Sequence, residues 1–137
     1  AMAEEMRRDA DVFVMGEEVA EYQGAYKVTP GLMQEFGAKR VIDTPISEAA
    51  ILGAGVGMAL AGLRPVVEMR VVDFALCAMD EMVNQAAKNR FMFGGQGRVP
   101  LVVRMPIGIW DASAAQHSQS LESWFIHVKP SSGWYVA

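Results

Sequence analysis

The chain has 137 residues, a length that fits one domain around a single core. Hydrophobic residues make up 52% of it and charged residues 20%, a balance that excludes a disordered tail or a low-complexity polymer. The net charge of −4 supplies no basic face for a phosphate backbone, which argues against a nucleic-acid partner, and the one cysteine, Cys77, admits no internal disulfide and fits a reducing compartment.

At the N-terminus, AMAEEMRRDADVF has mixed charge and lacks the apolar core of a secretory signal. It reads as the second half of an amphipathic helix whose first turns are absent. VFVMG from Val12 is the first of four short apolar runs rich in β-branched residues, followed by RVIDT from Arg40, PVVEMRVV from Pro65 and VPLVVRM from Val99. Runs of this length fit strands buried on both faces, as in a parallel sheet. Helical segments alternate with them: GLMQEFG from Gly31, Ser47 to Leu63, Asp73 to Phe91 and Ser118 to His127. The alternation predicts an α/β layered domain with right-handed crossovers. No repeat or composition shift marks a second domain, so residues 1–137 are expected to form one. The longest uncharged run, Ala49 to Leu63, is too short and too glycine-rich for a membrane span.

Local chemistry sharpens these boundaries. Ser47 and Asp73 can each cap the helix that follows, and Gly62 with Pro65 should end the first of the two. In the second, Leu76, Met79, Met82, Val83, Ala86 and Ala87 recur at helical spacing and predict one buried stripe, while Lys88 and Arg90 complement the dipole at its end. Ala49, Gly53, Gly57 and Ala61 fall four apart on one narrow face. Each mid-helix glycine costs about 1 kcal/mol relative to alanine, so another backbone should approach closely in compensation. That neighbour is either the chain's own sheet, the favoured expectation, or a helix of another subunit.

Residues after strand ends face the crevice in which α/β proteins bind ligands. Glu17 and Glu18 follow VFVMG, and Glu48 follows RVIDTPIS, so two strand ends aim carboxylates at one region. A solvated loop acid is the alternative for one of the first two, and a first-turn helix acid is the alternative for Glu48. Phe74 can be the first core residue of its helix. His117, in the small polar loop AAQHSQS, is suited to acid–base work if a crevice lies beneath it. GAGVG from Gly53 lies inside a helix rather than at the strand-to-helix turn of a dinucleotide fold, and GGQG from Gly94 reads as a turn. Two histidines and one cysteine, widely spaced, predict no protein-only metal site.

GEEVAEYQGAYKVTPGL, RVIDTPISEAAILGAGVGMALAGLRPVVE, DFALCAMDEMVNQAAK and AAQHSQS, in this order, resemble the beta subunit of the thiamine-diphosphate-dependent decarboxylating component of 2-oxo-acid dehydrogenase complexes. Pyruvate and acetoin dehydrogenases are the nearest-looking members. The likeness runs from Met2 to Phe125 and covers most of the family's pyrimidine-binding domain. It implies a three-layer α/β domain with a mostly parallel sheet flanked by helices. It also implies that Glu48 hydrogen-bonds a ring nitrogen of the cofactor's aminopyrimidine and favours its imino tautomer, in an apolar setting from Ile46, Ala49 and Ile51. By the same resemblance Phe74 would stack on the pyrimidine, Glu17 would contact the cofactor at its entrance together with Ile46, and His117 would stand near the incoming lipoyl group. His127 would be structural.

Thiamine diphosphate with magnesium would need an alpha subunit, because this chain lacks the Gly-Asp-Gly and distant asparagine of the diphosphate site. Further partners implied are the lipoyl domain of a dihydrolipoyl acyltransferase core and, to cover apolar surface, a second copy of the chain. With no signal or transit peptide seen, a bacterial cytoplasmic setting is expected in preference to a mitochondrial matrix. The sequence departs from the family in its polar ending VKPSSGWYVA and in Met69 and Val72, where other members carry aromatics. The chain is therefore expected to be a truncated single domain, inactive in isolation, and the rival reading is a folded, self-associating module without catalysis.

Overall fold

Strand β1 (Val12–Gly16) is buried along its whole length, with successive side chains passing to opposite faces. Val12 and Val14 pack with Met6 of helix α1 (Met2–Arg8), Leu32 of α2 (Leu32–Phe36) and Val41 of β2 (Val41–Asp43). Phe13 and Met15 pack instead with Ile51, Leu52 and Val56 of α3 (Glu48–Leu60) and Val67 of β3 (Arg64–Glu68). Helices thus cover both faces, giving the three-layer α/β domain expected. This computed structural model describes residues 1–108 and 112–128, so the ending from Lys129 and the segment 109–111 lie outside the described residues.

The sheet runs in the order β2-β1-β3-β4, with β4 at Val102–Arg104, and each neighbouring pair is parallel. Gly16 stands opposite Asp43 on one side and Glu68 on the other, and Glu68 stands opposite Arg104. The four carboxyl ends therefore make one edge, from which the loops bearing the candidate residues depart. Arg40 locks the far side of β1: its guanidinium donates to the carbonyls of Met6 at 2.7 Å, Asp9 at 2.9 Å and Val12 at 2.6 Å, and lies 5.1 Å from the Phe36 ring centre. One side chain so ties α1, β1 and α2 together.

Helix α3 ends as its sequence predicts. Gly62 takes the left-handed conformation at φ 103°, while the Gly62 and Leu63 amides donate to the carbonyls of Ala59 and Met58, both at 3.0 Å. Ser47 occupies the N-cap position without a side-chain cap bond. The small-residue face is corrected: Ala49, Gly57 and Ala61 are exposed, and a Cβ on Gly57 would meet nothing within 4 Å. Gly55, on the opposite face, is the close-packed one, since a Cβ there would lie 2.9 Å from Val67 Cγ2 and 3.3 Å from Leu101 Cδ1. The chain's own sheet approaches through Gly55; of the four-apart set Gly53 alone is half-buried, its Cβ position 3.6 Å from Glu81 Cγ, a side chain rather than another backbone.

The segment Asp73 to Phe91 is helical but not one regular α-helix. It opens as a 3-10 helix (Val72–Ala78), passes through a π-helical stretch (Glu81–Ala86) and closes as α4 (Ala87–Met92). A three-residue period turns Val72, Ala75 and Ala78 inward and leaves Leu76 exposed, and the wider π turn then carries the buried face to Met82 and Ala86. Asp73 is not the cap: it sits within the first turn, and its side chain reaches across to another loop.

Pairing is shorter than the apolar runs elsewhere too. The ladder of β3 stops at Glu68, although Met69, Val71 and Val72 stay buried; β4 begins only after Pro100, which has no amide to give. The last helix among the described residues is α5 (Glu122–His127), starting later than Ser118: a bend at Ser118 and irregular backbone over 119–121 come before it, and His127 is exposed. Gly94 and Gly95 take positive φ in the turn predicted at GGQG.

Candidate active site

The carboxyl edge of the sheet gathers acids of different character. Gly16 ends β1 with a Cβ position only 2.2 Å from the Glu68 carbonyl oxygen, so a side chain there would collide with the neighbouring strand. Glu17 follows at once and is buried, with 8% of its surface exposed. Burial pushes its carboxyl above the usual range, the charge of Glu48 adds to the rise, Arg70 opposes it and Glu18 adds slightly. Glu18 turns outward in the left-handed region at φ 56° and pairs with Arg70 at 3.2 Å. It is the solvated acid of the two.

The loop that carries them is held from β2. Asp43 accepts from the amides of Ala20 at 2.7 Å and Glu21 at 3.3 Å, while the buried Thr29 hydroxyl donates to the Val19 carbonyl at 2.7 Å. Glu48 opens α3 half-buried, in electrostatic reach of Glu17. The apolar setting expected around it is only partly furnished: Ile51 is buried, but Ile46 is 78% exposed and Ala49 is exposed. Ile46 ends the extended loop after β2, so its side chain has no layer to pack into. As a wall for a small ligand, it lacks support from this chain.

Phe74 and His117 meet in the structure, with ring centres 5.2 Å apart and planes at 79°, an edge-to-face contact. Beside them Asp73 is buried, and its Oδ1 accepts from Gln119 Nε2 at 2.9 Å and from the Gln119 amide at 3.2 Å. At the next strand ends, Glu68 is buried and accepts from Arg104 at 2.8 Å. Burial raises the Glu68 carboxyl above its ordinary range despite that partner.

The family model for the transketolase pyrimidine-binding domain matches residues 1–137. The chain belongs to that family. Among its relatives, the pyruvate dehydrogenase E1 component subunit beta of Rhizobium meliloti (strain 1021) is 59% identical over 128 residues, which are 93% of this chain and 28% of that protein. The corresponding subunit of Rickettsia felis is also 59% identical over 128 residues, covering 39% of its length. A mitochondrial subunit beta-1 from Oryza sativa subsp. japonica is 52% identical over the same span and 34% covered. The chain thus spans between 28% and 39% of these relatives, and the resemblance drawn from its motifs holds.

Within the pyrimidine-binding domain, the expected residues fall into two groups at one edge: Glu17 with Glu48, and Phe74 with His117. Sequence reading missed Asp43, Arg70, Asp73 with Gln119, and Glu68 with Arg104 as supports of that edge. An acid closing the run VID and one closing PVVE were the available signals. The Asp73–Gln119 contact joins residues 46 positions apart and left none.

Proposed function

We propose that this domain holds the aminopyrimidine half of thiamine diphosphate in the beta subunit of a 2-oxo-acid dehydrogenase E1 component of the pyruvate dehydrogenase type. The observation that carries the reading is the pair Glu17 and Glu48: two carboxylates from neighbouring strand ends, near enough that the charge of one raises the other. Burial first and the neighbouring charge second favour the protonated form of Glu17, which leaves an acid with a proton to give beside Glu48. The donor set suits an aminopyrimidine, which offers ring nitrogens and an exocyclic amine to carboxylates and a flat face to Phe74. Thr44 Oγ1, buried without a hydrogen-bond partner at the same edge, has an unmet polar demand.

When bound, the cofactor supplies the carbon chemistry of 2-oxo-acid decarboxylation. Glu48 would hydrogen-bond a ring nitrogen, and Glu17 would stand beside it as a second acid, itself largely out of water. Phe74 excludes water from one side. His117, in edge-to-face contact with that ring, would take or give a proton at its imidazole during acyl transfer to a lipoyl carrier. An alpha subunit completes the site by holding the diphosphate and magnesium, a dihydrolipoyl acyltransferase core receives the product, and the setting is the bacterial cytoplasm. Among the described residues no helix is long and apolar enough to cross a membrane.

The test mixes the chain with an alpha subunit from a relative and measures 2-oxo-acid decarboxylation, then repeats it with Glu48→Gln. Activity in the wild type and its loss of at least about 100-fold in the variant are expected, in line with removal of a positioned acid–base group. The exposed small face of α3 favours a second reading, a folded self-associating module without catalysis. No activity in the mixture, together with a stable homodimer in light scattering, would select it.

A further inference from the structure

Asp73 stands where a helix-capping acid was expected, yet its side chain makes no cap bond. Its Oδ1 turns to Gln119 and accepts twice, from the side-chain amide at 2.9 Å and the backbone amide at 3.2 Å. The Gln119 carbonyl in turn accepts from the Gly108 amide at 3.2 Å. One residue of the histidine loop is therefore fastened both to the 3-10 helix and to the segment after β4. Asp73 precedes Phe74, and Gln119 lies two residues beyond His117, so the fastening flanks the ring contact on both chains.

The loop does not hold this shape by its own preference. Ala112 and Ala114 take left-handed conformations at φ 48° and 66°, which alanine disfavours. Ser118 Oγ, between His117 and Gln119, is buried without a hydrogen-bond partner. Two strained residues and an unmet hydroxyl oppose the conformation; against them stand one bond inside the loop, from the His117 amide to the Ala114 carbonyl at 3.3 Å, and the two that the buried Asp73 accepts from outside it.

We propose that Asp73 and Gln119 form a clasp whose role is to hold the His117 imidazole in its edge-to-face contact with Phe74. They are positioning residues, and His117 is the group they serve. The inference rests on the functional reading above only for what His117 then does; the clasp is tested without cofactor or partner.

The experiment is NMR on the full chain with labelled histidine, using His127→Gln to assign the two imidazoles. In the wild type the His117 ring protons should carry a ring-current shift that Phe74→Leu removes. Gln119→Glu replaces the donor by a second carboxylate facing Asp73 and should abolish that shift. Asp73→Asn combined with Gln119→Glu rebuilds a donor–acceptor pair in reverse sense and should restore it. A Gln119→Glu variant that stays folded and keeps the shift would overturn the proposal, as would a folded double variant that fails to recover it. Should either variant fail to fold, amide exchange in the wild type decides: the Gln119 amide should be the slowest within residues 112–121, and fast exchange there would sink the clasp. Loss of the cofactor reading shows in the Glu48→Gln assay and leaves these outcomes untouched.

Discussion

Glu17 concentrates the tension of the site in one side chain. Its carboxyl is raised above the ordinary 4.5 chiefly by burial, so the folded state binds the proton more tightly than the unfolded chain does. That contribution is complete below the unfolded pKa and is lost as pH climbs through the folded one. Glu68 acts in the same direction. Glu17→Gln should therefore flatten the fall in stability as pH rises above about 4.5 and raise the urea midpoint on the high-pH side, read by circular dichroism against pH. A variant with an unchanged pH profile would show that Glu17 is not held in this environment. At Gly16 the constraint is steric. Gly16→Ala drives a Cβ into the β3 backbone and should lower stability by about 1–3 kcal/mol in the same measurement.

Among the elements, α3 separates two kinds of glycine. Gly57 faces outward into open space, so Gly57→Ala should stabilise the chain by about 1 kcal/mol through helix propensity alone. Gly55 touches Val67 and Leu101, and Gly55→Ala should instead destabilise it by about 1–3 kcal/mol. Thermal melts of the two variants ought to move in opposite directions; a shared direction would mean that α3 sits on the sheet by a different face. Helix α1 hangs on Arg40. With its bonds to three carbonyls removed, Arg40→Ala should cost about 1.5–3 kcal/mol and speed amide exchange first in residues 2–8.

In the whole molecule, β1 lends alternate side chains to both apolar clusters, so neither face can dissolve without the other. Leu52→Ala, at a fully buried position on one face, should lower stability by about 2–5 kcal/mol, with exchange protection on both faces lost at one denaturant midpoint. Two separate midpoints would contradict a shared central strand.

How much of this was legible in the chain follows from the range of the forces involved. Apolar runs of strand length, the Gly62 stop and the alternation of elements are local, and they determined the parallel α/β class and put Glu17 and Glu48 at one sheet edge. The short motifs carried the family likeness for the same reason. Tertiary structure alone decided which face of α3 meets the sheet, why Ile46 is bare, how a three-residue period breaks the helix after Val72, and that Asp73 reaches Gln119 rather than its own helix. Each of these turns on what stands opposite in space, and a side chain with two possible partners is settled only when packing brings one of them within hydrogen-bond distance.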